Sequence, residues 1–153
     1  MAAPQPSLKG RALRCLAARE HSRAELQRKL APYEEEPGQL ARVLDDLQAK
    51  GFISEERVAA SLLHRRAARL GDMRIRQELQ AKGLDAPTVA QALEQLRGTE
   101  RERAQAVWQR KFGAPAQDAK ERARQMRFLL ARGFSADVVR SVVQGGAGQD
   151  ADI

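Results

Sequence analysis

Leu79-Gln80-Ala81-Lys82-Gly83-Leu84-Asp85 and, further along, Leu129-Leu130-Ala131-Arg132-Gly133-Phe134-Ser135 are two versions of one phrase. Each ends a helix on a basic residue and a glycine, follows with an apolar residue and an N-cap, and puts a valine four residues past that cap (Val89 and Val139). Leu47-Gln48-Ala49-Lys50-Gly51-Phe52 repeats the wording, but at the end of a third helix rather than a second. Helix-stop chemistry accounts for each copy alone: glycine at C′, a cation near the last carbonyls and an apolar contact beyond. It does not account for the matching three-helix frame around the phrase, so the phrase reads as part of a true internal repeat.

Working outward, apolar stripes and caps divide the chain into nine helices in three sets of three. Leu8 to Arg19 carries Leu8, Ala12, Leu13, Leu16 and Ala17 at helical spacing. Ser22-Arg23-Ala24-Glu25 is a capping box before Leu26 and Leu30. Pro32 and the acidic run through Gly38 interrupt, and a third helix covers Gln39 to Lys50. Ser54 opens a helix to Leu70, Gly71-Asp72 is a stop and a new cap for residues 73–82, and Asp85 opens a helix to about Leu96. Thr99 with Glu102 reads as a further capping box for a helix to Phe112, Asp118 with Glu121 caps a helix to Arg132, and Ser135 caps the last through Val143. The expected organisation is a disordered tail at 1–7, three-helix repeats at 8–53, 54–98 and 99–143, and a disordered tail at 144–153. Units of this size stack along one line, so an all-α, elongated and curved molecule of helix-turn-helix-like modules is expected, rather than a nine-helix globule.

Composition agrees. Aromatic residues are 4% of the chain against 42% hydrophobic, and the excess is in helix formers rather than strand formers. One cysteine, Cys15 beside Leu13 and Leu16, excludes an internal disulfide and reads as a small core hydrophobe. With no signal peptide between Met1 and Pro6 and no apolar run of membrane-spanning length, a cytoplasmic protein without a membrane partner is expected.

Enzymatic readings lack parts. The two histidines, His21 and His64, have no Cys, Asp or Glu at ligand spacing, so no metal is expected. No glycine-rich phosphate loop is present, hence no nucleotide cofactor. Glu34–Glu36 and Asp45-Asp46 read as surface rather than a paired acid/base site, and no serine stands in a nucleophile motif. The charge is more informative. The chain carries +7, and from Arg57 to Arg76 six arginines face one acid, while from Arg101 to Arg132 nine basic residues face three. The first 53 residues hold nine basic and seven acidic. An anion-binding face on the second and third repeats follows, carried by Arg57, Arg65, Arg69, Arg74, Arg76, Lys82, Arg122, Arg124, Arg127 and Arg132. Arg66 falls within an apolar stripe and reads as a structural pin to a carbonyl or acid, with direct partner contact as the alternative. Trp108, the one tryptophan, reads as core rather than a base-stacking platform.

Val43-Leu44-Asp45-Asp46-Leu47-Gln48-Ala49-Lys50-Gly51-Phe52-Ile53-Ser54-Glu55-Glu56-Arg57-Val58-Ala59, then Arg66, then Arg74-Ile75-Arg76-Gln77-Glu78-Leu79-Gln80-Ala81-Lys82-Gly83-Leu84 closely resembles the RecX family. The likeness runs from about Leu8 to Val143, with Val58 where an aromatic is usual and Ser54 where an Asp caps. The resemblance implies three tandem three-helix repeats and a bacterial regulator of the RecA recombinase. Such a protein lies in the groove of the RecA–DNA filament, restrains its extension and activities without catalysis, and binds DNA weakly and salt-sensitively; a monomer is expected. The rival readings are a winged-helix DNA reader at 8–53, which needs a β-hairpin after Gly51, and a plain helical scaffold.

Overall fold

Serine and aspartate hydroxyls and carboxylates set most of the helix starts. In a computed structural model, which describes residues 4–148, Ser7, Ser22, Ser54, Asp85, Asp118 and Ser135 each accept an amide three residues on. The described residues form α1 (Leu8–Ala18), α2 (Arg23–Leu30), α3 (Gln39–Ala49), α4 (Glu55–Arg66), α5 (Asp72–Ala81), α6 (Ala86–Gln95), α7 (Glu100–Lys111), α8 (Ala119–Ala131) and α9 (Ala136–Gly148), with a 3-10 turn at Ala31–Tyr33. No strand occurs among them. Ser54 starts α4 directly where a winged helix would place its hairpin.

Each apolar stripe closes on its own triplet. Leu26, Leu40, Leu44 and Leu47 form one core, Leu62, Ile75, Leu79 and Val89 a second, and Val107, Trp108, Leu129 and Val139 a third. Cys15 lies half-buried against the first. The packing partners are likewise internal: α1–α3 among themselves, α4 and α5 on α6, α7 and α8 on α9.

Some local expectations fail for stated reasons. The Thr99 side chain does not cap α7: its backbone is already helical, φ -105° and ψ -11°, and its hydroxyl is turned away to donate to the Leu96 carbonyl at 2.6 Å and accept from Arg103 Nε at 3.0 Å. The fourth helix stops at Arg66, not Leu70, because the Arg103 guanidinium takes the Ala67 and Leu70 carbonyls. The α5 cap is not Asp72 itself, whose amide is taken by Glu100 Oε2 at 2.7 Å. Residues 144–148, expected in a disordered tail, are helical as the end of α9. The remainder of the two expected tails at 1–3 and 149–153 lies outside the described residues.

The repeated phrase turns out to be the joint between triplets. The C-terminus of α5 meets the N-terminus of α2: Ser22 Oγ donates to the Lys82 carbonyl, and Lys82 Nζ reaches Glu25 at 3.3 Å. The C-terminus of α8 meets the N-terminus of α5: the Gly71 amide donates to the Arg132 carbonyl at 2.8 Å and the Met73 amide to Gly133 at 3.3 Å. The second helices therefore run head to tail, α8 to α5 to α2, and spare carbonyls at one helix end satisfy spare donors at the next.

Gly83 and Gly133 permit this approach. Both have positive φ, +77° and +90°, and a Cβ on either would come within 2.4 Å of Ala24 Cβ or Arg74 Cβ. Gly51 shares the left-handed backbone, φ +82°, but a Cβ there meets nothing within 4 Å. Alanine at Gly51 should therefore cost only the left-handed penalty, about 1–2 kcal/mol. At Gly83 or Gly133 overpacking adds about 1–3 kcal/mol more. Urea midpoints of the three variants check this; equal losses would mean that the glycines are helix stops and nothing else.

Candidate functional site

The expected basic face divides into cations that hold the protein together and cations left over. Arg57 pairs with Glu20 at 2.8 Å and donates to the Gly51 carbonyl at 2.7 Å, tying α4 to the first triplet. Lys82 is spent on Glu25. Arg74 lies at the second joint, 3.7 Å from Glu78 and 3.4 Å from the Ala131 carbonyl. Arg124 pairs with Glu121 one turn away and lies 5.6 Å over the Phe112 ring. Arg66 makes a two-pronged pair with Glu78, both bonds 3.0 Å. That carboxylate holds the Arg66 guanidinium above its ordinary pKa. It also accounts for the glutamate in Ile75-Arg76-Gln77-Glu78-Leu79, whose Ile75 and Leu79 are buried core.

Arg65, Arg69, Arg76, Arg122, Arg127 and Arg132 make no ion pair among the described residues. They do not form one cluster. Arg76 borders a hollow with Met73 and Ser135, whereas Arg69 and Arg132 meet Arg110, Lys111, Val107 and Phe128 in a separate open cleft of about 280 Å³. Among the described residues no three His, Cys, Asp or Glu side chains gather as metal ligands. His64 is exposed.

Three separate triplets, their order and the joint phrase can be set beside known proteins. The first, second and third three-helix domains of RecX match residues 9–52, 54–93 and 99–143. The chain belongs to the RecX family. It is 62% identical over 141 residues to the regulatory protein RecX of Leptothrix cholodnii, covering 92% of this chain and 90% of that one. It is 49% identical over 147 residues to that of Ralstonia nicotianae, covering 95% and 92%. The crystal structure of RecX from Lactobacillus salivarius superposes with a TM-score of 0.76 at 19% identity, over 92% of this chain and 94% of that one, a likeness of fold. No helix of the described residues is long and apolar enough to cross a membrane.

Several working residues of this RecX-family chain escape sequence reading. Arg103 is the most buried cation in an ion pair, its side chain 11% exposed, and it binds Asp72, Thr99 and two carbonyls at the end of α4. Its place four residues before buried Val107 was the available signal, the same one that marks Arg66. Gln125, 1% exposed, accepts the indole N–H of Trp108 at 2.9 Å and donates to the Ala114 carbonyl; Trp108 itself, 4% exposed, is core as expected. His21, 2% exposed, sits with Nδ1 3.0 Å from the Arg19 carbonyl and Nε2 3.0 Å from Lys29 Nζ. Burial first, and the neighbouring cations with it, push its pKa down, so the neutral ring accepts from Lys29. Glu55 and Glu100, the first residues of α4 and α7, each accept an amide at the start of the preceding triplet's second helix, Arg23 and Asp72.

Arg103→Ala would open the α4 terminus and strand Asp72, and hydrogen bonds to charged groups are worth about 1.5–3 kcal/mol each. A thermal melt should show a loss of about 2–3 kcal/mol, against under about 0.5 kcal/mol for the exposed Arg124→Ala. Glu25 makes the first joint acid-sensitive. Burial would raise its carboxyl, but the Arg19 guanidinium, the Ser22 amide and Lys82 outweigh it and hold the pKa at about 2, below the ordinary 4.5. The unfolded chain then binds the proton first, so the stabilisation is complete above pH 4.5 and fades as pH falls from there toward 2. Urea melts at stepped pH should show this fall in the parent and a smaller one in Glu25→Gln.

Proposed function

We propose that this RecX-family chain is a non-enzymatic regulator of the RecA recombinase, docking along the groove of the RecA–DNA filament and restraining its extension, ATP turnover, recombination and coprotease activities. The observation that carries the reading is the division of cations just described. In modules two and three Arg65, Arg69, Arg76, Arg122, Arg127 and Arg132 make no ion pair among the described residues, on a line of modules stiffened by head-to-tail helices. A free arginine facing phosphate or acidic protein gains two-pronged hydrogen bonds without first breaking an internal pair. Arg57, Arg74, Lys82 and Arg124, also expected among the contact residues, act with their internal partners, and Arg66 serves as a pin. No cofactor enters, and the acting species is a monomer in the cytoplasm.

Restraint needs no chemistry. A rigid strip that fits one filament geometry better than another shifts the equilibrium by its differential affinity alone. Bare DNA binding is weak, since few phosphates are neutralised, and falls with salt as counterions return.

The ATPase rate of RecA on single-stranded DNA, titrated with this protein, should fall well below one protein per recombinase subunit. Arg65→Glu, Arg69→Glu and Arg76→Glu together should abolish the fall while the far-ultraviolet circular dichroism stays unchanged. An unaltered ATPase rate with the folded parent in excess would sink the proposal; inhibition surviving the triple change would remove the second module from the contact.

A further inference from the structure

The open cleft at the second joint brings together side chains that are scattered in sequence. Arg69 comes from the turn after α4, Arg110 and Lys111 from the end of α7, and Arg132 from the end of α8. No carboxylate lines the cleft, and its floor is apolar, made by Val107 and Phe128. Three of the four cations are held in place. Lys111 Nζ lies 5.2 Å and the Arg132 guanidinium 4.9 Å from the centre of the Phe128 ring, which Phe112 braces edge-on at 5.5 Å. Arg110 is held by the Ala68 carbonyl at 3.2 Å. Packing like charges around one aromatic ring without a counter-ion costs free energy, and an anion entering the cleft recovers it.

The shape narrows which anion. At about 280 Å³ the cleft is at the small end of ligand pockets, and it opens to the surface, so a chain can pass across it with one unit inside. A phosphodiester strand supplies the charge for the four cations, and a base turned out of stack supplies the flat apolar face for Phe128 and the Arg132 plane. A duplex keeps its base faces hidden and offers phosphates only. We infer that the cleft between the second and third modules, formed by Arg69, Arg110, Lys111, Arg132 and Phe128, is a binding site for single-stranded DNA that seats one unstacked nucleotide. The inference rests on the proposed work at a DNA-bearing filament and gives that role a specific strand-reading site. Because Arg69 belongs to module two and the other residues to module three, an occupied cleft also ties the two modules together.

Fluorescence anisotropy of a labelled twenty-nucleotide oligothymidylate, with no recombinase present, tests the site. The double variant Arg69→Glu with Lys111→Glu changes two exposed side chains that make no ion pair among the described residues. It should weaken binding about tenfold or more and flatten the salt dependence by about 0.7 in log–log slope per cation removed. Arg14→Glu with Arg42→Glu imposes the same charge change on exposed residues of the first module and should cost less than about threefold. Equal losses from the two pairs would overturn the site in favour of a general charge effect. Phe128→Leu keeps an apolar side chain but removes the aromatic face, and should bring affinity for the single strand down toward that for the matching duplex. A single-strand preference unchanged in that variant, with the melt unchanged, would also overturn it. Failure here leaves RecA inhibition to be judged by its own ATPase titration, and failure of that titration leaves the oligonucleotide result standing.

Discussion

Everything in this fold depends on helix ends meeting helix ends. Three cores this small are marginal on their own, and the stability of stacked repeats comes from each module's own packing plus its interface with the next. Here the interface is polar and backbone-led. The carbonyls that close α8 accept amides that open α5, and the Lys82 carbonyl at the end of α5 accepts the buried Ser22 hydroxyl at the start of α2. Groups that every helix leaves unsatisfied thus become the adhesive, and the dipoles align in series. The approach leaves no room for a Cβ at Gly83 or Gly133, and the same left-handed glycine lets the chain turn away into the third helix.

A second set of residues locks the angle at each joint. Glu55 and Glu100, each opening the first helix of a module, reach back to the second helix of the module before. Glu100 also takes the Ser135 amide, so one carboxylate ties α5, α7 and α9. Arg103 crosses the same joint from the other side. Module two therefore cannot rotate against module three without breaking several charge-assisted bonds together, and a surface that spans them behaves as one rigid template.

The repeat was legible because it is written in short-range chemistry: caps, stripes and left-handed glycines act within four residues, and a sequence displays that range directly. Ser22 with Glu25 and the valines after Asp85 and Ser135 are read correctly for this reason. The third copy of the phrase, at Gly51, carries the same stop signal but ends a third helix, and a Cβ there would meet nothing within 4 Å, so likeness of wording did not mean likeness of role. Thr99 misleads because its competitor, Arg103, is also drawn by carbonyls from another module. The charge clusters could not separate Lys82 and Arg57, paired with acids 57 and 37 residues away, from Arg69, which makes no ion pair among the described residues. Pairing at that range is decided by how modules stack, and no local pattern encodes it.

That sorting of cations bears on the proposed restraint of a filament without catalysis. An arginine already satisfied inside the fold contributes little on binding, because the internal pair must be given up or shared. An arginine kept free by the fold carries its full charge to the partner, at the cost of some repulsion in the unbound state. The joints consume Arg74, Lys82 and Arg103 to fix geometry, and leave Arg65, Arg69, Arg76 and Arg132 without an ion pair among the described residues. Fixed separations are what discrimination requires: a floppy array of the same charge would follow any spacing of phosphates or acids and favour none. In the proposed docking, stiffness at the helix ends and selectivity along the basic residues would be one property, set by the same glycine-mediated joints.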